Sequence, residues 1–111
     1  MNIRELHDLC ENLNFQVFWS NGTTGLVVHL PERFGSDLIL IANYDIIYLP
    51  SGEFTLNEKN KILSGSRKTE DLRDYTIQQM EKRLTDMLNN YSIVYKQYIL
   101  NKKIKRIKKD F

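Results

Sequence analysis

Residues 15 to 30 read Phe15-Gln-Val-Phe-Trp-Ser-Asn-Gly-Thr-Thr-Gly-Leu-Val-Val-His-Leu30, and this stretch decides the fold. Phe15, Val17 and Trp19 alternate with polar residues, and Leu26, Val28 and Leu30 repeat the alternation after the segment Asn21-Gly-Thr-Thr-Gly25. A period of two is typical of strands with one buried face, and an Asn-Gly turn between two such runs predicts a β-hairpin. The centre of the domain is therefore expected to be antiparallel sheet.

Short connections link the apolar runs that follow the hairpin. Residues 38 to 42 and 46 to 49 are separated by Asn43-Tyr-Asp45, and Pro50-Ser-Gly52 leads to a further short strand at 53 to 56. Parallel strands need long crossovers, so these connections predict an antiparallel meander of three to five strands. Residues 57 to 68 mix Asn, Lys, Ser and Gly without periodicity, and we expect them to be a linker or a frayed helical turn.

A short amphipathic helix is predicted before the first strand. Its apolar face is formed by Ile3, Leu6, Leu9, Cys10 and Leu13. Asn2, followed three residues later by Glu5, has the form of a capping box at the start of this helix. We expect the helix to cover one face of the sheet.

A long amphipathic helix is predicted for the C-terminal third of the chain. Thr69 is its expected N-cap, because Glu70, Asp71 and Asp74 would then lie at the positive end of the helix dipole. One side carries Leu72, Met80, Leu84, Met87, Tyr91, Val94 and Tyr98. Residues 1–111 are thus predicted to form a single α+β domain, with an N-terminal helix, the meander, and a long C-terminal helix or helix pair packed on the sheet.

A second apolar stripe lies on nearly the opposite side of the C-terminal helix. It consists of Ile93, Gln97, Leu100, Ile104, Ile107 and Phe111, at steps of four and three residues. In a continuous helix this second stripe would meet another chain, either a target groove or a second copy in a twofold homodimer. In a helix that bends near Ser92, it would fold back on the same core. The sequence is compatible with both arrangements.

An arginine–aromatic pair occurs in the loop of residues 31 to 36. Arg33 and Phe34 are residue types enriched in interface hot spots, although Phe34 could instead tuck under the sheet. The candidate partner-binding residues are therefore Arg33, Phe34, Leu100, Ile104, Ile107 and Phe111.

The charge of the chain is concentrated at its C-terminal end. Residues 1 to 101 carry a net charge of −3, whereas the basic helical tail, residues 102 to 111, carries +5. Tyrosines precede this tail on the same helix side, and aromatic rings beside cations are typical of single-stranded nucleic-acid surfaces. The candidate nucleic-acid-binding residues are Tyr91, Tyr95, Tyr98, Lys102, Lys105, Arg106 and Lys109. The alternatives are buried tyrosines beside a solvated helix end, or an amphipathic tail on an anionic membrane, which the absence of Trp from the tail disfavours.

No catalytic or metal-binding signature is found in the sequence. Phosphate-binding, dinucleotide-binding and nucleophile-elbow motifs do not occur. His7, His29 and Cys10 are too few for a conventional zinc site. We therefore expect a protein that is not an enzyme and that uses no cofactor and no metal. The single cysteine and the lack of any bilayer-length apolar stretch predict a cytoplasmic protein with no membrane partner.

The chain contains ten Asn, ten Lys, eleven Ile and six Tyr but one Ala, and the four abundant amino acids are those with A- and T-rich codons. In this composition, its small size and its lack of an active-site motif, the chain resembles in general character small accessory proteins of phages and mobile elements, a class that includes anti-CRISPR proteins. The resemblance implies a non-enzymatic protein-binding module, an inhibitor or adaptor that acts on a host protein such as a nucleic-acid-processing enzyme. The alternative hypothesis is direct nucleic-acid binding by the tyrosine and lysine side of the helix.

Overall fold

The computed structural model describes the backbone of residues 1 to 109 and the side chains of residues 1 to 108. In this part of the chain, two α-helices and seven strands follow one another, with short 3-10 turns at Glu32–Phe34 and Leu72–Asp74. The elements are α1 (Ile3–Asn12), β1 (Gln16–Ser20), β2 (Gly25–His29), β3 (Leu38–Asn43), β4 (Ile46–Pro50), β5 (Thr55–Leu56), β6 (Ile62–Leu63), β7 (Arg67–Asp71) and α2 (Ile77–Lys109).

Five of the seven strands form an antiparallel sheet in the order β1-β2-β3-β4-β7. The predicted hairpin joins β1 and β2, and the meander continues through β4. Between β4 and β7 the chain makes a separate small hairpin of β5 and β6. The predicted α+β class is confirmed.

The start of the C-terminal helix was predicted too early. Thr69 is not an N-cap but pairs with Tyr48 in the sheet, because β7 completes the backbone hydrogen bonds of β4. The carboxylate of Asp71 caps the following 3-10 turn, accepting from the Arg73 amide at 2.9 Å. Part of the expected linker, residues 57 to 68, is likewise structured, since it contains β6 and the beginning of β7.

Both helices pack on the same face of the sheet. Inward positions of the sheet are almost fully buried: Leu26, Val28, Leu40, Ala42, Ile47 and Leu49. They contact Leu6, Leu9 and Cys10 of α1 and Met80, Leu84 and Tyr91 of α2 within one core cluster. The capping box of α1 is present as predicted, with the Asn2 side chain accepting from the Glu5 amide at 2.9 Å.

The helix α2 is continuous over 33 residues and passes Ser92 without a break. Tyr91 is buried in the core, and the Asn90 side chain accepts a hydrogen bond from the Phe54 amide at 2.7 Å, so this region is anchored rather than cut. The radius of gyration is 15.8 Å, compared with about 13 Å for a compact domain of this length. The second stripe therefore does not fold back on the core: Ile93, Leu100, Ile104 and Ile107 are 42% to 69% exposed.

None of the described helices is both long and apolar enough to cross a membrane. Although α2 has the length, polar and charged residues recur along it.

Candidate functional site

A cleft of about 820 Å³ opens between the C-terminal half of α2, the loop after β2 and the β5–β6 hairpin. Aromatic surface comes from Phe34, Tyr95 and Tyr98, and positive charge comes from Lys59, Lys61, Lys102 and Lys105. These seven residues define what we call the tyrosine–lysine cleft. Its walls come from three separate parts of the sequence.

The tyrosines of α2 form one continuous aromatic surface, because positions 91, 95 and 98 share one side of a helix. The ring centroids of Tyr91 and Tyr95 are 6.1 Å apart, and those of Tyr95 and Tyr98 are 5.7 Å apart. Tyr91 is only 3% exposed, and burial, followed by the charge of Asp37, raises its pKa to about 12. Tyr91 is therefore the neutral floor of the cleft, whereas the half-buried Tyr95 and Tyr98 line it.

The loop after β2 holds Phe34 against this floor. Phe34 meets Tyr91 and Tyr95 edge to face, at 6.1 Å and 5.6 Å between ring centroids. Gly35 follows with a φ of 92°, and a Cβ at this position would lie 3.9 Å from the Tyr95 ring. The exposed guanidinium of Arg33 lies 4.8 Å from the centre of the Phe34 ring. Phe34 thus faces α2, and Arg33 lies beside it on the surface.

The β5–β6 hairpin positions the two remaining lysines. The Asn57 side chain accepts from the amides of Lys59 and Lys61, at 3.0 Å and 2.8 Å, which fixes the turn. Asn60, at a φ of 57°, donates to the carbonyl of Tyr98 at 3.2 Å and accepts from the Asn101 amide group at 3.0 Å. The tip of the hairpin is thereby tied to α2, so Lys59 and Lys61 are held across the cleft from the lysines of the helix.

The cleft has a strong excess of positive charge. Among the described residues, the cleft is lined by four lysines and by one carboxylate, that of Asp37. The ammonium of Lys102 lies 4.6 Å from the centre of the Tyr98 ring, a cation–π contact. Beyond the cleft, Lys103, Arg106 and Lys108 are exposed on the projecting end of α2. Such a surface can bind a phosphate-containing ligand that also presents planar rings.

The candidates for metal binding lie apart from this cleft. His7 stacks on Trp19 at 4.6 Å, and His29 Nδ1 lies 2.9 Å from the carbonyl oxygen of Ser36. Cys10 is buried in the core. Among residues 1 to 108, no group of three or more His, Cys, Asp or Glu side chains could hold a metal ion.

The structure brings most of the candidate nucleic-acid-binding residues together in the cleft. It divides the candidate partner-binding residues between the cleft and another side of α2. Of the candidate nucleic-acid-binding residues, the cleft contains Tyr91, Tyr95, Tyr98, Lys102 and Lys105. Arg106 is exposed outside the cleft, and the side chain of Lys109 lies outside the described residues. Of the partner-binding candidates, Phe34 lines the cleft, whereas Leu100, Ile104 and Ile107 lie roughly 120° to 180° around α2 from Tyr98. Phe111 is outside the described residues.

The contribution of the β5–β6 hairpin was not predicted from the sequence. Lys59, Asn60 and Lys61 lie in the segment that was expected to be a linker. The signal for a turn was the pair Asn57 and Asn60, since Asn tolerates the left-handed conformation and its side chain mimics a backbone turn. Nothing in the local sequence indicates that this turn docks on α2.

The combination of helix, antiparallel sheet and helix hosts unrelated activities, so the fold does not itself indicate a function. No protein-family model, no curated protein and no solved structure matches the chain.

Proposed function

We propose that the protein is a non-enzymatic binding module that holds single-stranded nucleic acid in the tyrosine–lysine cleft. The observation that carries the proposal is that two half-buried tyrosine rings line the same cleft as four lysines from two separate segments. Proteins that bind single strands without reading sequence combine a positively charged groove with aromatic side chains on which bases stack. The cleft has both components.

Tyr95 and Tyr98 would supply the stacking surface. Their rings lie side by side, with 34° between their planes. The ammonium of Lys102 lies over one face of the Tyr98 ring. A base that takes this face displaces the ammonium, which is then free to pair with the phosphate of the same nucleotide. One exchange thus provides both a stacking contact and an ionic contact.

The lysines on the two walls would hold the phosphate backbone. Lys59 and Lys61 are exposed on the hairpin wall, and Lys102 and Lys105 are exposed on the helix wall. Stacking on the tyrosines requires bases that have left the double helix, so this mode favours single strands over duplexes.

The salt dependence of binding tests the lysine contribution. With four phosphate contacts, the logarithm of affinity should fall with the logarithm of salt concentration at a slope of about −3, since each contact to a single strand contributes about −0.7. The double variant Lys102→Ala, Lys105→Ala should reduce the steepness of this slope by about 1 to 1.5. Fluorescence anisotropy of a labelled oligonucleotide measures both slopes.

The matched control is the double variant Lys96→Ala, Lys103→Ala. It removes the same charge from the same helix, but both side chains lie roughly 140° to 160° around α2 from Tyr98. Its binding curve should stay close to that of the wild type. Equal losses of affinity in the two double variants would show that the lysines act only through the general attraction of a basic helix end. No binding at low salt would refute the proposal.

A second candidate function is protein binding through the second stripe. The observation that favours it is the uninterrupted helix α2, on which Leu100, Ile104 and Ile107 remain 42% to 57% exposed. An amphipathic helix can place such a stripe in the apolar groove of a partner, as expected for an inhibitor or adaptor of a host protein. A partner captured by the wild type should be lost by Ile104→Glu, Ile107→Glu and kept by the cleft variants. Identical partners for all of these proteins would contradict this function.

A further inference from the structure

The face of the five-stranded sheet opposite the helices carries a row of apolar side chains. The register pairs Phe18 with Val27, Val27 with Ile41, Ile41 with Tyr48, and Tyr48 with Thr69. The apolar row therefore crosses β1 to β4 and ends beside Thr69 on β7. Phe18, Ile41 and Tyr48 are 40% to 53% exposed, and both described helices lie on the other side of the sheet.

This row continues toward both ends of the strands. Leu38 and Ile46 are also exposed and flank the row on β3 and β4. We call the surface made by Phe18, Val27, Leu38, Ile41, Ile46 and Tyr48 the open face. An antiparallel sheet with one face in water normally presents polar residues there, and a contiguous exposed apolar patch marks an interaction site.

The chain exposes more surface than a compact monomer of its mass. The accessible surface is 7299 Å², whereas a compact monomer of 13.2 kDa would expose about 6,400 Å². The excess of about 900 Å² belongs to the chain as a whole, which extends 54 Å along its longest axis. The projecting end of α2 holds part of this excess, and the open face is the other large uncovered apolar surface.

The charges at the two ends of β7 favour a second copy of this chain as the partner. At one end of β7, on the side of the open face, lies Arg67, whose guanidinium is 5.5 Å from the centre of the Tyr48 ring. At the other end, the three carboxylates of Asp45, Asp71 and Asp74 outnumber the two cations beside them, Arg73 and the N-terminal ammonium of Met1. A twofold axis along the apolar row exchanges the two ends of every strand, so it brings the basic end of one copy against the acidic end of the other.

We propose that the open face is the interface of a twofold dimer in which two sheets pack face to face. Paired sheets of this kind form a sandwich with side chains interdigitating across about 10 Å. The helices and the tyrosine–lysine cleft lie on the other side of each sheet, so the dimer would leave both clefts accessible. The proposal does not depend on the proposed nucleic-acid binding.

Light scattering at micromolar concentrations tests the dimer with a matched pair of variants. The wild type should have the mass of two chains. Ile41→Glu should have the mass of one chain, because residues near a twofold axis meet their own copies and the new carboxylates repel each other, raising the dissociation constant by at least about a hundredfold. Ile93→Glu makes the same chemical change on α2, where the side chain is more exposed, and should remain dimeric.

Two further variants decide between the open face and the second stripe. Phe18→Thr, on the edge strand β1, keeps strand propensity while removing the ring, and it should also weaken the dimer even if Ile41→Glu fails to fold. Circular dichroism checks that each variant retains its helices. A monomeric wild type would overturn the proposal. So would a dimer that persists in folded Ile41→Glu and Phe18→Thr but dissociates in Ile104→Glu, Ile107→Glu, which would assign the interface to α2.

Discussion

Replacing both Tyr95 and Tyr98 by Ala is expected to weaken the binding of a single-stranded oligonucleotide by at least about thirtyfold. Each base–aromatic stack contributes about 1 to 3 kcal/mol, and the two rings line the same cleft. The lysines remain in this variant, so it should keep the salt dependence of the wild type while losing affinity at every salt concentration. Equilibrium titration by fluorescence anisotropy measures this shift.

The control for this variant is Tyr95→Phe, Tyr98→Phe. It preserves both rings and removes only the hydroxyl groups, so its affinity should stay close to that of the wild type. Because Tyr95 also packs on Phe34, thermal melting must show that the alanine variant is folded at the temperature of the titration. A folded alanine variant with wild-type affinity would exclude stacking in the cleft.

The thiol of Cys10 is expected to react roughly a thousandfold more slowly in the folded protein than in the unfolded chain at pH 8. Burial against the sheet raises its pKa to about 12. The thiolate is the reactive form, so a higher pKa leaves less of it at a given pH, and the packing of α1 also excludes the reagent. The rate with a disulfide reagent, measured in native buffer and in guanidinium chloride, gives the ratio. Rapid stoichiometric reaction in native buffer would contradict the packing of α1 on the sheet.

Strong local signals made the first half of the fold predictable. The alternation around Asn21-Gly-Thr-Thr-Gly25 and the capping box of Asn2 and Glu5 each specify a structure within a few residues. Strand β7 offers no such signal, because Arg67-Lys-Thr-Glu-Asp71 lacks apolar alternation. It is an edge strand whose formation depends on backbone pairing with β4, far away in sequence. Its acidic residues are of the kind found in the first turn of a helix, which led to the wrong N-cap. The helix itself begins after Thr76, whose hydroxyl accepts a hydrogen bond from the Gln79 amide at 3.1 Å.

The candidate site was predictable only where one helix carries it. The spacing of Tyr91, Tyr95 and Tyr98 placed these rings on one side with Lys102 and Lys105. The hairpin lysines join them through tertiary contacts of Asn60 with α2, which no local pattern encodes. The open face was equally hidden, because residues 38 to 42 are apolar throughout and a period of two cannot assign one side of such a run to the core.

A nuclear magnetic resonance titration tests the central claim most directly. Isotopically labelled protein is titrated with a short single-stranded oligonucleotide, and the perturbed resonances are mapped on the structure. Binding in the cleft predicts that the largest changes occur at the rings of Tyr95 and Tyr98 and at the backbone amides of Lys59, Lys61 and Lys102. Changes confined to the second stripe or the open face, or no changes at low salt, would contradict nucleic-acid binding by the tyrosine–lysine cleft.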